Sequence, residues 1–99
     1  MQRTVEAAVF SVVRQYVGHG IGTQLHEAPE VPNFGTAGRG IRLLPGMTLA
    51  IEPMVTAVGF DEKLLPDGWT VLTKDGSLSA HFEHTIVITP DGPKIMTVI

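Results

Sequence analysis

The chain has 99 residues, enough for one domain with a radius of about 13 Å and little stability to spare. Its composition is that of an ordinary globular protein, 43% hydrophobic and 17% charged, and a net charge of −3 gives no footing for nucleic acid or an anionic membrane. Cysteine is absent, which excludes disulfides and thiolate zinc sites, and no apolar run approaches the roughly 20 residues that span a bilayer.

The chain opens in a helical pattern. Val5, Val9, Val12, Val13 and Tyr16 follow the i, i+4, i+7, i+8 spacing of one buried face. Gly18 and Gly20 are expected to end that helix and begin an irregular stretch. From Glu27 to Gly46 runs a polar connection rich in Pro and Gly, of a length that is usually functional or held by a neighbour. Leu44-Pro45-Gly46-Met47 has the chemistry of a type II turn and leads into a strand predicted from Met47 to Val55. Asp67-Gly68 precedes a second strand, Trp69 to Thr73, and Asp75-Gly76 reads as the hairpin turn before a third, Leu78 to Thr89. Pro90-Asp91-Gly92 then turns the chain into a closing strand, Lys94 to Val98. The expected class is α+β, with one N-terminal helix packed on a mainly antiparallel sheet. With no basic segment and apolar leader at the N-terminus, a cytoplasmic protein is expected.

One group of side chains could carry chemistry. His19 lies in GHGIG, His26 in LHE, Glu52 in IEP, His81 in AHF, and Glu83 and His84 in FEH. Taken singly, a His is more often a hydrogen-bonded structural residue than a ligand, and a Glu is more often solvated. Context changes that reading for three of them. Glu52 stands in LAIEPMV and Glu83 in HFEHTIVI, and a carboxylate in apolar company is rare unless paired or bound to a cation. Strand alternation puts His81 and Glu83 on one face. His19 lies between two glycines, where a ligand or another strand can approach closely. The interval of seven from His19 to His26 does not fit the zincin helix, and no phosphate loop, dinucleotide fingerprint or nucleophile elbow is present. A metal site is the favoured reading.

Taken together and in order, GHGIG, LHEAP, LLPGMTLAIEPMV and DGWTVLTKDGSLSAHFEHTIVIT resemble the C-terminal half of a type I methionine aminopeptidase, over nearly the whole chain from about Val13. Met54 after the Glu-Pro pair and the long DGWTVLTKDG segment favour the methionine enzymes over the proline-specific relatives of the same fold. The resemblance implies half of a pita-bread fold, with residues 1–99 forming part of a catalytic domain that removes N-terminal methionine from nascent polypeptides. It implies His19, Glu52 and Glu83 as ligands of a paired-metal centre, with Glu83 shared between the ions and Glu52 helping to move a proton. It implies His26 as a substrate-contacting, catalytic histidine, and Leu25 and Trp69 beside the methionine pocket. Without the resemblance, Leu25 and Trp69 would read as core packing. His81 is read as an imidazole that orients a carboxylate, and His84 as structural. Carboxylate-rich ligation suits Co, Mn, Fe or Zn.

The pattern also differs from this chain. The family's two aspartate ligands come from the other half, and none of Asp61, Asp67, Asp75 and Asp91 matches them. At most one weakly held ion is therefore expected here, against two in the complete site. With those aspartates missing, the isolated chain is expected to be inactive or weakly active; Met1-Gln2-Arg3 resembles a new start inside the family's helix. Its partners would be the N-terminal methionine of peptides and either an N-terminal half-domain or a second copy of itself, with no nucleic acid and no membrane. The alternatives are a non-catalytic, pita-bread-type peptide-binding module, and a mononuclear iron site of His19, His81 and Glu83.

Overall fold

A computed structural model describes residues 1–98. A short helix, α1 (Gln2–Ala7), precedes β1 (Ser11–Val12), β2 (Gly18–Ile21), β3 (Glu27–Val31), β4 (Thr48–Ile51) and β5 (Met54–Thr56). Next come β6 (Glu62–Leu64), β7 (Val71–Thr73), β8 (Ser79–His81), β9 (His84–Thr89) and β10 (Gly92–Ile95). The strands form a five-stranded sheet in the order β10-β9-β4-β2-β3, a three-stranded sheet in the order β1-β5-β8, and the β6–β7 hairpin. The described pairings are antiparallel. No helix among the described residues is long and apolar enough to cross a membrane.

The N-terminal helix is much shorter than its periodicity predicts. The backbone leaves the helix at Ala8, and Val9 adopts a φ of +66°. Such a conformation is uncommon for a β-branched residue. Val12 and Val13 are buried, but in and just after a strand: Val12 pairs with Val55, and the Val13 N–H donates to the Met54 carbonyl at 2.9 Å. Val9, by contrast, is 85% exposed. Adjacent β-branched side chains suit a pleated strand, and pairing with β5 satisfies both their burial and their backbone.

Gly18-His19-Gly20-Ile21 is likewise no helix terminus but an interior strand of the larger sheet, between β4 and β3. Its glycines answer to neighbouring backbone. A Cβ on Gly18 would overlap the Ala50 carbonyl, and one on Gly20 the Ala28 carbonyl. The expected long connection is shorter for the same reason, since Glu27–Val31 is the edge strand paired with β2.

The turn at Leu44–Met47 forms as expected. The Met47 N–H donates to the Leu44 carbonyl at 3.1 Å, and Gly46 has a φ of +93°. Asp75-Gly76 does turn the chain, yet it joins no hairpin: β7 pairs with β6, and β8 with β5. The closing strand begins two residues earlier than expected, at Gly92, whose φ of +116° shapes the β9–β10 turn.

The core is small. Val12, Val13, Leu49, Ala50 and Ile88 are its buried apolar residues, joined by Thr56 and Asn33. It draws on both sheets, because two strands predicted as single elements each contribute to both. Met47–Val55 divides into β4 and β5, and Leu78–Thr89 into β8 and β9, with Glu52-Pro53 and Phe82-Glu83 at the divisions.

Candidate metal centre

Those two divisions lie opposite one another. Pairing runs from Thr48↔Val87 to Ile51↔His84 in the large sheet, and from Met54↔His81 to Thr56↔Ser79 in the smaller one. The register is unbroken between them, so Glu52 faces Glu83 and Pro53 faces Phe82. The Phe82 N–H donates to the Pro53 carbonyl at 3.1 Å across this gap. One ribbon thus passes from sheet to sheet, and at the crossing it brings two carboxylates face to face. Like charges directly opposite across a ribbon are destabilising. A cation between them would relieve that repulsion.

The third member comes from β2. His19 pairs with Ala50, two residues before Glu52, which directs its ring toward the crossing. One donor atom each from His19, Glu52 and Glu83 lie within 4.8 Å of one another. His19 and Glu52 are largely covered, with side chains 14% and 16% exposed. His19 Nδ1 lies 3.0 Å from the Gly20 carbonyl. A carbonyl can only accept, so Nδ1 carries a proton and Nε2 is left as the ligating atom when the ring is neutral. That Nε2 stands 3.1 Å from Glu52 Oε1. Two lone pairs at this distance repel unless a proton or a metal ion lies with them. The two carboxylates and a tautomer-fixed imidazole therefore fit a divalent ion, with oxygen and nitrogen donors that suit several first-row metals.

His81 enters from β8, diagonal to Glu52 on the ribbon. Its Nε2 lies 3.3 Å from Glu52 Oε2, so Glu52 has an imidazole at each oxygen. His26, just ahead of β3, is exposed and places its ring 4.2 Å from that of His19 at a 46° tilt. Both histidines line an open cavity of about 450 Å³ together with Gly18, Ala28 and Glu30. Leu25 and Trp69 are 70% and 88% exposed, the latter in the loop of the β6–β7 hairpin. They are surface residues here rather than core. His84 lies outside the cluster, with Nδ1 2.8 Å from the Thr97 hydroxyl and its ring edge-on to Phe82.

Sequence reasoning missed Asn33. It is 2% exposed, and its amide Nδ2 donates at 3.4 Å to both the Tyr16 and the Glu52 carbonyls. It thus ties the backbone of a cluster residue to the segment before β2. Nothing in its local sequence, a polar Pro- and Gly-rich connection, marks it as buried.

Comparison with known proteins identifies the family. The model of metallopeptidase family M24 matches residues 1–90. A methionine aminopeptidase of Clostridium perfringens is 61% identical over 99 residues, which are 100% of this chain and 40% of that protein. Methionine aminopeptidase 1 of Bacillus subtilis is 57% identical over 97 residues, 98% of this chain and 39% of that one. The crystal structure of the Thermotoga maritima methionine aminopeptidase superposes with a TM-score of 0.95 at 55% identity, over 99% of this chain and 39% of the other. That from Rickettsia prowazekii superposes with a TM-score of 0.95 at 49% identity, over 98% and 40%. The chain spans about two-fifths of the length of these relatives.

Proposed function

This chain belongs to metallopeptidase family M24, and on that premise we propose that it carries part of a site that removes N-terminal methionine from polypeptides. It corresponds to the C-terminal half of the pita-bread fold of type I methionine aminopeptidases. The family uses divalent metal. The observation that carries the reading is the convergence of His19, Glu52 and Glu83 donor atoms within 4.8 Å.

In this reading His19 Nε2 and the carboxylates of Glu52 and Glu83 hold the ion, with Co, Mn, Fe or Zn as candidates. These residues would hold one ion; Glu83 would share a second with ligands supplied from outside these 99 residues. A bound divalent ion supplies Lewis acidity, acidifying water and polarising a carbonyl. Glu52 takes the proton released at an attacking water and delivers it to the leaving amine, with His81 orienting its Oε2. His26, exposed beside His19, donates to the substrate carbonyl oxygen as negative charge develops there. Leu25 and Trp69 offer apolar surface to the methionine side chain. Residues 1–99 act as a portion of one catalytic domain, in the cytoplasm, where nascent chains are made.

The reading is tested by titrating Mn or Co into the chain by calorimetry, then following cleavage of a Met-Ala-Ser peptide, with and without the remaining portion of a relative supplied in trans. Metal binding together with restored cleavage is expected. Peptide binding that survives Glu83→Ala without any turnover would instead identify a non-catalytic peptide-binding module. Absence of metal binding in both arms would sink the metallopeptidase reading.

A further inference from the structure

We propose that Asp91-Gly92 is the site at which this chain converts an aspartyl to an isoaspartyl linkage, because the Asp91 carboxylate is uncommitted where two matching turn aspartates are held. The sequence contains three Asp-Gly pairs, Asp67-Gly68, Asp75-Gly76 and Asp91-Gly92. Their backbones are alike. The glycines have positive φ values, +73°, +76° and +116° in order, and a Cβ on any of them would meet nothing within 4 Å. The Gly68 N–H donates to the Leu65 carbonyl and the Gly76 N–H to the Thr73 carbonyl, while Gly92 pairs with Thr89, so each glycine meets the residue three before it. The side chains differ. Asp67 accepts from the Trp69 and Thr70 N–H groups at 2.9 and 2.8 Å, and from the Thr70 hydroxyl at 2.6 Å. Asp75 accepts from the Ser77 N–H at 2.9 Å and from the Gly59 N–H at 2.8 Å. Asp91 is exposed, and its carboxylate has no hydrogen-bond or ion-pair partner among the described residues; its N–H donates to the Thr89 hydroxyl at 3.3 Å.

That difference selects the reactive pair. The Gly92 nitrogen attacks Asp91 Cγ, forming an N–Cγ bond while the carboxyl C–O bond breaks and water leaves with the amide proton. Glycine has no Cβ to hinder the approach. Water then opens the five-membered succinimide. When the bond from the Gly92 nitrogen to the Asp91 backbone carbonyl breaks, the chain runs on through Cβ and Cγ and a free α-carboxylate remains. One water is lost and one regained, so no other reactant enters. The attack requires the carboxyl to turn toward the following nitrogen and to lose an oxygen as water. Asp67 and Asp75 must first release the N–H and hydroxyl groups that fix them in their turns. The same bonds, those from Thr70 and Ser77 foremost, hold these two carboxyls below the ordinary range, so less of each is protonated and ready to lose water. The Asp91 carboxylate has no such bond to break. Its turn leads into β10, an edge strand of the five-stranded sheet, so the turn is flanked by sheet on one side only.

The test incubates the whole chain at neutral pH and physiological temperature, folded and in denaturing urea, and digests samples over time. Electron-transfer fragmentation, which cleaves at the extra backbone methylene, assigns isoaspartate to a residue. In the folded chain it should form at Asp91 at least about tenfold faster than at Asp67 or Asp75, the factor that one charged hydrogen bond to be broken supplies. In urea the three rates should converge, because the restraining bonds are then gone. Thr70→Val removes the hydroxyl that donates to Asp67. It should raise the folded-state rate at Asp67 and leave that at Asp91 unchanged. Equal rates at the three pairs in the folded chain would overturn the proposal. So would a preference for Asp91 that persists in urea, which would trace it to local sequence, or an Asp67 that does not respond to Thr70→Val. No metal or peptide substrate enters the measurement, so its outcome is independent of the proposed peptidase function.

Discussion

Glu52 and Glu83 face each other across one antiparallel ribbon, at the point where it leaves the three-stranded sheet for the five-stranded one. Pro53, next to Glu52, has no N–H to give to the ladder, so a break in regular pairing there costs no donor. The irregularity and the carboxylates coincide, and His19 from β2 lies over them.

In metal-free buffer this opposition should be measurable. Glu83→Gln removes one of two facing charges and is expected to stabilise the chain by a few tenths to about 1 kcal/mol in EDTA. The same substitution should abolish the stabilisation by saturating Mn, which for the unaltered chain is about 2.7 kcal/mol at a hundredfold excess over the dissociation constant. Urea titrations with and without metal check both. A loss of stability in EDTA would contradict the account of the crossing.

His81 and the ligands proper should separate by magnitude. An imidazole that only orients Glu52 Oε2 is worth roughly 10–100-fold in metal affinity. His81→Ala should fall in that range by calorimetry, while His19→Ala or Glu52→Ala should exceed it. Equal losses in all three would make His81 a ligand.

The glycines of β2 are predicted to differ from the turn glycine. Alanine at Gly18 or Gly20 would drive a methyl into the backbone carbonyl of Ala50 or Ala28. A loss of about 3 kcal/mol is expected, the upper end for overpacking. At Gly46 there is open space but a φ of +93°, so Gly46→Ala should lose only about 1–2 kcal/mol, the cost of that conformation for a side chain. Chemical denaturation of the three variants tests the order.

Replacing Asn33 with alanine would leave the Tyr16 and Glu52 carbonyls without their shared donor. About 1–3 kcal/mol of stability should be lost. Metal affinity should drop as well, because the freed backbone carries Glu52. Affinity that holds while stability falls would restrict Asn33 to the fold.

Acid should act on two turns. The Asp67 carboxyl is held below its ordinary 3.8 by the Thr70 hydroxyl and by the Thr70 and Trp69 backbone N–H groups. Ser77 and the Gly59 N–H do the same for Asp75. A carboxyl depressed on folding contributes stability above its unfolded pKa, and that contribution is lost as pH falls through the lower, folded value. Unfolding free energy should therefore decline below about pH 4. The decline should be shallower in Asp67→Asn and Asp75→Asn, read from urea midpoints across pH.

Much of the site was legible in one dimension because its residue types are out of place. Glu52 and Glu83 stand in apolar strand sequence, and their motifs, in order with GHGIG and LHEAP, carried the family resemblance. Turn chemistry at Gly46, Gly68, Gly76 and Gly92 was equally readable, since a positive φ is a local demand that glycine meets at little cost. The 3.6-residue spacing of Val5, Val9, Val12 and Val13 misled, because Val12 and Val13 find a better partner in β5 than in a helical face. Gly18 and Gly20 read as breakers until β3 and β4 closed on them from either side. Residue identity and order determined which chemistry was available. Only the tertiary structure decided that Glu52 lies opposite Glu83, that Asn33 is buried and that Glu62 has no hydrogen-bond partner among the described residues, because strand pairing joins residues far apart in the chain and no local pattern encodes who the partner is.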